Sequence, residues 1–138
     1  MEITFTVQGE PHGKARPKFN SESKRTYTPK PTVEYEKLVR QSYSTSNGGK
    51  RLEGEIEAYI TAFYQIPKSA KKSLKEAMER GDVAPTKKPD VDNVAKSILD
   101  ALNGLAYTDD SQITTLTVRK VYSWNPCVEV ALREASGK

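Results

Sequence analysis

The stretch KKPDVDNVAKSILDALNGLAYTDDSQ, residues 87–112, holds the clearest helical pattern in the sequence. At about 100° per residue, a helix that begins near Asp92 places its apolar residues on one side and its polar residues on the other. The apolar side carries Val94, Ile98, Ala101, Leu102 and Leu105. The polar side carries Asp92, Lys96, Asp100 and Asn103. We therefore predict an amphipathic helix whose core side fixes the fold and whose other side presents acid, lysine and acid.

The same stretch gathers five aspartates, although the chain as a whole is basic. Asp90 and Asp92 occupy alternate positions of an extended segment after Pro89, so their side chains can point the same way. Asp109 and Asp110 follow the helix. Because a helix of this size is roughly 18 Å long, Asp110 would reach Asp90 and Asp92 only if the next strand runs back beside the helix start.

Structural alternatives compete with a functional role for these aspartates. Asp90 and Asp92 could be N-caps of the helix, favoured by its dipole. Asp92 and Lys96 are four residues apart and could form a surface ion pair. Asp109 and Asp110 could belong to a turn. Each of these alternatives would leave the carboxylates without a chemical task.

The combination of these residues nevertheless favours a metal site. Carboxylates that converge repel one another unless a cation neutralises them, and an all-oxygen ligand set suits Mg²⁺ or Mn²⁺. An acidic pocket ringed by lysine is what metal-dependent phosphodiester hydrolysis requires, because lysine can stabilise negative charge on the phosphate.

The composition limits the class of protein. The chain of 138 residues suits one domain, 1–138, and its net charge of +4 is compatible with a polyanionic partner. The single cysteine, Cys127, excludes an intrachain disulfide and a multi-cysteine zinc site, and it favours the reducing cytoplasm. We see neither a signal peptide at the start nor a segment with the length of a membrane span, so we expect no membrane partner.

The rest of the chain reads as an α+β domain with the order strand, helix, strand, helix, helix, strand, strand. Period-two alternation predicts strands over 2–9 and 55–66. Helices are predicted over 32–46 and 69–81, with Thr32 and Ser69 as their N-caps. The last two strands, 111–124 and 127–134, are predicted to form a hairpin at Asn125-Pro126.

A basic segment lies between Glu10 and Lys30, and it is predicted to be a long loop or an irregular hairpin. Phe19 and Tyr27 lie among its cations, and aromatic side chains can stack on unpaired bases. Lysine and arginine on such a loop can bind phosphates without reading sequence. The candidate DNA-binding residues are Lys14, Arg16, Lys18, Lys24 and Arg25 of this segment, with Lys87 and Lys88 beside Asp90.

The central stretch resembles the RusA family of Holliday junction resolvases. The family pattern is Asp-x-Asp-Asn, a lysine four residues after the second aspartate, a helix that ends in Asp-Ala-Leu, and then Asp-Asp-x-Gln. Every element is present in residues 87–112, and looser likeness extends to GKARPKF, YTPK and FYQIPKS, which look like the phage or prophage branch.

This resemblance implies a homodimeric endonuclease of two-layer α+β fold, with a small mixed β-sheet packed with helices. Such an enzyme nicks four-way DNA junctions symmetrically with Mg²⁺ or Mn²⁺, in recombination and repair, and uses no small-molecule cofactor. Carried over by position, the metal ligands are Asp90, Asp92 and Asp110, and the catalytic lysine is Lys96. Supporting roles fall on Asn93, Asp100 and Asp109.

Two other functions remain open at this level. A DNA-binding module without catalysis would use the aspartates only as caps and ion pairs. A metal-dependent nuclease for other substrates, such as flaps, forks or RNA, would share the site but not the dimer geometry that selects a junction.

Overall fold

The computed structural model describes residues 1–135. The predicted domain, 1–138, extends three residues further, and those three lie outside the described residues. Residues 1–135 fold into a four-stranded mixed sheet packed with three helices, which confirms the predicted α+β sandwich.

The sheet has the strand order β1-β6-β4-β5. Its strands are β1 (Glu2–Gln8), β4 (Ile56–Gln65), β5 (Ile113–Ser123) and β6 (Cys127–Glu134). Strand β6 runs antiparallel to both β1 and β4, whereas β5 runs parallel to β4 at the edge of the sheet.

The predicted hairpin of the last two strands is wrong, because β4 lies between β5 and β6. Burial distinguishes the two strands. In β6, which pairs with a strand on each side, the side chains of Val128, Val130 and Leu132 are at most 2% exposed. Strand β5 is exposed along most of its first half, with Leu116 45% exposed, and so takes the edge.

The three helices are α1 (Lys30–Asn47), α2 (Lys72–Arg80) and α3 (Val91–Ala101). Their types were predicted correctly, but two of their starts were not. Thr32 is not an N-cap: it is fully buried inside α1, which begins directly after Pro29. Helix α2 begins after Lys71 rather than at Ser69, and it ends, as predicted, at Gly81 in the left-handed conformation.

The core lies between the sheet and the pair α1 and α3. Strand β1 shows the predicted alternation, since Ile3, Phe5 and Val7 are buried and the residues between them are exposed. The residues of the predicted apolar side that belong to α3 are buried, whereas Asp92 and Lys96 are exposed. The amphipathic pattern therefore orients α3 as the sequence indicates, with its acidic side outward.

The basic segment before α1 contains a separate two-stranded hairpin, β2 (Lys18–Asn20) and β3 (Arg25–Tyr27). It is followed by the start of α1, so the segment is a hairpin rather than a structureless loop. A short 3-10 turn, Asp110–Gln112, leads into β5.

Candidate active site

The start of α3 presents two carboxylates that have no hydrogen-bond or ion-pair partner among residues 1–135. Asp90 occupies the N-cap position, with extended backbone, but its side chain makes no capping hydrogen bond. Asp92 lies in the first turn and is exposed. Among the ion pairs of residues 1–135, none joins Asp92 to Lys96. Neither the capping hydrogen bond nor the Asp92–Lys96 ion pair forms within the described residues, so the helix dipole is the structural role left to Asp90 and Asp92.

Asp109, in contrast, has a structural task. Its carboxylate accepts a hydrogen bond from the backbone N–H of Ser111 at 3.0 Å, and the Gln112 side chain accepts from the backbone N–H of Asp109 at 3.1 Å. This reciprocal capping box begins the 3-10 turn and holds the pKa of Asp109 below its usual range, chiefly through Ser111. The turn alternative thus accounts for Asp109.

The segment that carries Asp90 is held from the sheet by Tyr64. The Tyr64 hydroxyl donates to the carbonyl of Pro89 at 2.5 Å, and the ring is 1% exposed. Burial, and then the charges of Asp90 and Glu10, raises the pKa of Tyr64 to about 12. The phenol consequently stays protonated, and donates, throughout the physiological pH range.

Lys120 of β5 braces the same segment. Its ammonium donates to the carbonyl of Lys87 at 2.6 Å and lies 5.0 Å from the centroid of the Tyr64 ring. The Lys87 ammonium lies 6.0 Å from the same centroid. Tyr64 and Lys120 are not among the predicted site residues, because both occupy ordinary positions of alternating strands in the sequence.

Residues 12–14 form a second brace, along α3 itself. The Ser97 hydroxyl donates to the carbonyl of His12 at 2.7 Å, and the backbone N–H of Lys14 donates to the carbonyl of Asn93 at 3.3 Å. Gly13 lies so close that a Cβ atom on it would be 2.9 Å from Cβ of Pro89. The N-terminal segment and the start of α3 are thereby fixed together.

We expect Gly13→Ala to lower the free energy of unfolding by about 1–3 kcal/mol, the usual cost of overpacking. The added methyl would meet the Pro89 ring, which cannot swing aside as a flexible side chain can. Urea denaturation measures the change, and Gly49→Ala is the matched control, since nothing lies within 4 Å of its added Cβ. Equal midpoints for the two variants would contradict the close contact.

Lys14, a predicted DNA-binding residue, instead forms ion pairs within the protein. Its ammonium lies 2.6 Å from a Glu36 oxygen and 3.5 Å from an Asp100 oxygen, and its side chain is 20% exposed. Burial opposes the charged form, but the hydrogen bond and charge of Glu36, with the charge of Asp100, outweigh it and raise the pKa of Lys14. Lys14 therefore links α1 to α3 through its ion pairs, and Asp100 is its partner on α3.

Asp110 lies at the other end of α3. Its backbone N–H donates to the side-chain oxygen of Asn103 at 2.8 Å. Burial and then the neighbouring carboxylates of Asp109 and Asp100 raise the pKa of Asp110. Strand β5 does run back beside α3, since Lys120 reaches Lys87. Asp110, however, precedes the first residue of that strand, so it stays with Asp100 at the C-terminal end of the helix.

The predicted metal ligands therefore form two groups within one chain. Within residues 1–135, no three His, Cys, Asp or Glu side chains gather closely enough to hold a metal ion. The chemistry of the donors still fits a hard divalent cation, since all are carboxylates. Burial, and after it repulsion by neighbouring carboxylates, raises the pKa of Asp110, and a bound cation would relieve that repulsion.

The other predicted cations lie at the surface. The side chains of Arg16, Lys18, Lys24 and Arg25 are exposed on and before the β2–β3 hairpin, and those of Lys87 and Lys88 are exposed beside Asp90. None of the helices in residues 1–135 has the length and apolarity needed to cross a membrane.

Comparison with known proteins completes the description of the site. A family model described as endodeoxyribonuclease RusA matches residues 8–133, a range that includes every predicted site residue. A Bacillus subtilis (strain 168) protein, described as uncharacterized protein YqaN, is 38% identical over 138 residues, and the match covers 97% of each chain.

Proposed function

The chain belongs to the RusA family of endodeoxyribonucleases, and on that premise we propose that it resolves four-way (Holliday) DNA junctions. It does so by paired, symmetric nicks, in DNA recombination and repair. The observation that supports this most directly is the exposed side of α3, where Asp90, Asp92 and Lys96 have no structural partner among residues 1–135.

We propose that Asp90, Asp92 and Asp110 hold Mg²⁺ or Mn²⁺ at the scissile phosphate. The ion would polarise the phosphate and lower the pKa of a bound water. Lys96 lies one turn from Asp92 on the same side of α3, where its exposed ammonium can stabilise charge on the phosphate. Tyr64 and Lys120 position the segment that carries Asp90.

We also propose that the enzyme is a homodimer, which offers a way to unite the two groups of carboxylates. Strand β5 pairs only with β4 within the described chain, so its outer edge can take another strand. Two copies related by a two-fold axis would pair these edges antiparallel, with the start of one β5 beside the end of the other. Asp110 precedes the start, and Lys120 near the end contacts the segment of Asp90. The second copy's Asp110 would then approach Asp90 and Asp92.

A nicking assay tests the function. The purified protein is incubated with a labelled synthetic four-way junction, with and without Mg²⁺, beside matched duplex, flap, fork and RNA substrates. We expect paired, symmetric, Mg²⁺-dependent nicks in the junction. A shifted but uncut junction would point to a binding module, and equal cutting of flaps or RNA to a nuclease of broader substrate range.

Lys96→Ala is expected to slow nicking by roughly 10²-fold or more, because it removes charge stabilisation in the transition state. Single-turnover rates on the junction measure the effect. Lys37→Ala, an exposed lysine on α1, is the control and should retain the wild-type rate. Near-normal turnover of Lys96→Ala would reduce Lys96 to a surface residue.

We also propose that the enzyme works in the cytoplasm and belongs to the phage or prophage branch of the family. The likeness of the N-terminal segments to the phage branch supports the second point. Cys127 is free and buried, in keeping with a reducing compartment.

A further inference from the structure

The β2–β3 hairpin projects from the body of the protein. Its strands, Lys18–Asn20 and Arg25–Tyr27, pair with each other and form their own sheet. Every residue from 16 to 28 is exposed. The Asn20 side chain accepts hydrogen bonds from the backbone N–H groups of Glu22 and Ser23, at 2.9 and 3.1 Å, so the tip is ordered by local contacts alone.

Two aromatic side chains of this hairpin are exposed to solvent. Phe19 is 63% exposed and Tyr27 is 49% exposed. A two-stranded hairpin is marginally stable in water on its own, and packing these rings against the body would stabilise it. Both rings nevertheless stay exposed, which indicates that they contact a partner instead.

The register of the hairpin separates its two faces. Phe19 is opposite Thr26, whereas Lys18 is opposite Tyr27 and Asn20 is opposite Arg25. Since successive side chains alternate across a strand, Phe19 stands on one face without a cation, and Lys18 and Arg25 share the other. One face thus suits a base, and the other suits phosphates.

The positive charge of the hairpin indicates that its partner is a polyanion such as DNA. Between residues 16 and 27 there are four cations, Arg16, Lys18, Lys24 and Arg25, and one carboxylate, Glu22. A cationic ribbon of two strands is narrow enough to enter the major groove of DNA. Bases at a branch point can unstack and then stack on an aromatic side chain. In proteins that bind single-stranded DNA, such stacking contributes a substantial part of the affinity.

We propose that the hairpin enters the branch point of the DNA junction, where Phe19 stacks on a base at the crossover and Lys18 and Arg25 bind the flanking phosphates. This inference rests on the proposed function and adds the element that opens the branch. The contacts of Gly13 and Lys14 with Pro89 and Asn93 keep the start of the basic segment, from which the hairpin continues, beside the proposed metal ligands of α3.

The test uses a four-way junction with 2-aminopurine, whose fluorescence rises on unstacking, at the crossover. Wild-type protein in EDTA should raise the fluorescence on binding. Phe19→Ala should lose most of that rise and bind the junction about 5- to 100-fold more weakly. Phe19→Trp should restore the affinity, and Leu38→Ala, which truncates another exposed apolar residue, should match the wild type in both measurements.

Distinct outcomes separate the hairpin from the function. If the wild type binds and nicks the junction while Phe19→Ala gives the same fluorescence and affinity, the inference is overturned and the proposed function stands. If Phe19→Ala loses only binding to anionic lipid vesicles, the hairpin is a membrane contact and the inference is likewise overturned. If the wild type neither binds nor nicks branched DNA, the proposed function fails and the inference with it.

Discussion

Asp92→Asn is expected to abolish nicking of a four-way junction, by roughly 10³-fold or more, while junction binding is kept or becomes tighter. The loss in rate follows because a bound metal contributes several kcal/mol of transition-state stabilisation. Binding survives because the exposed side chain keeps its size, and removal of its charge lessens repulsion of phosphate. Single-turnover nicking with Mg²⁺ and gel-shift titration in EDTA measure the two effects separately.

The matched control is Asp82→Asn, an exposed aspartate beyond the end of α2 whose carboxylate pairs with Arg80. It should nick at the wild-type rate. Loss of binding by Asp92→Asn, or a nicking rate within a few-fold of the control, would contradict the role of Asp92 as a metal ligand.

Mixing two inactive variants should restore activity if the metal site is shared between copies. Asp92→Asn and Asp110→Asn are each expected to be inactive. In a mixed dimer, one site carries both substitutions and the other carries neither, because each site takes its two groups from different copies. After random reassociation, about half of the dimers hold one intact site. The mixture should therefore give single nicks, without the paired nicks of the wild type.

A second mixture controls this experiment. Asp90→Asn with Asp92→Asn removes ligands from the same group, so every dimer of these two variants lacks an intact site and should remain inactive. Subunit exchange is verified by differently tagged copies. If exchange is complete and the mixture of Asp92→Asn and Asp110→Asn stays inactive, the carboxylates are united within one chain, and the shared site is wrong.

Local patterns in the sequence were sufficient for the strands of the main sheet, for the types of the three helices and for the exposed side of α3. The buried positions Val94 and Ile98 and the exposed positions Asp92 and Lys96 follow from a period of 3.6 residues, which any helix with one buried side must obey. The same holds for β1, where period-two alternation separates buried from exposed side chains. These properties depend on neighbours within a few residues.

The surroundings of some residues could not be predicted from such patterns. Lys14 looked like one more cation of a basic loop, yet it pairs with Glu36 and Asp100, which are 22 and 86 residues away in the chain. Leu99 falls on the polar side of α3 by helical periodicity, yet it is 8% exposed within its own chain. Both outcomes depend on what packs beside α3, and periodicity in α3 carries no information about that.

The sequence alone determined the helix, its acidic side, the Asp-x-Asp-Asn motif with its lysine, and through them the family of the chain. Only the tertiary structure decided the strand order, the bracing of the Asp90 segment by Tyr64 and Lys120, and the position of Asp110 beside Asp100. The physical reason is that the first set arises from side-chain periodicity within one element. The second set arises from contacts between elements, and a strand that begins at the far end of α3 leaves Asp110 there, however well the motif matches.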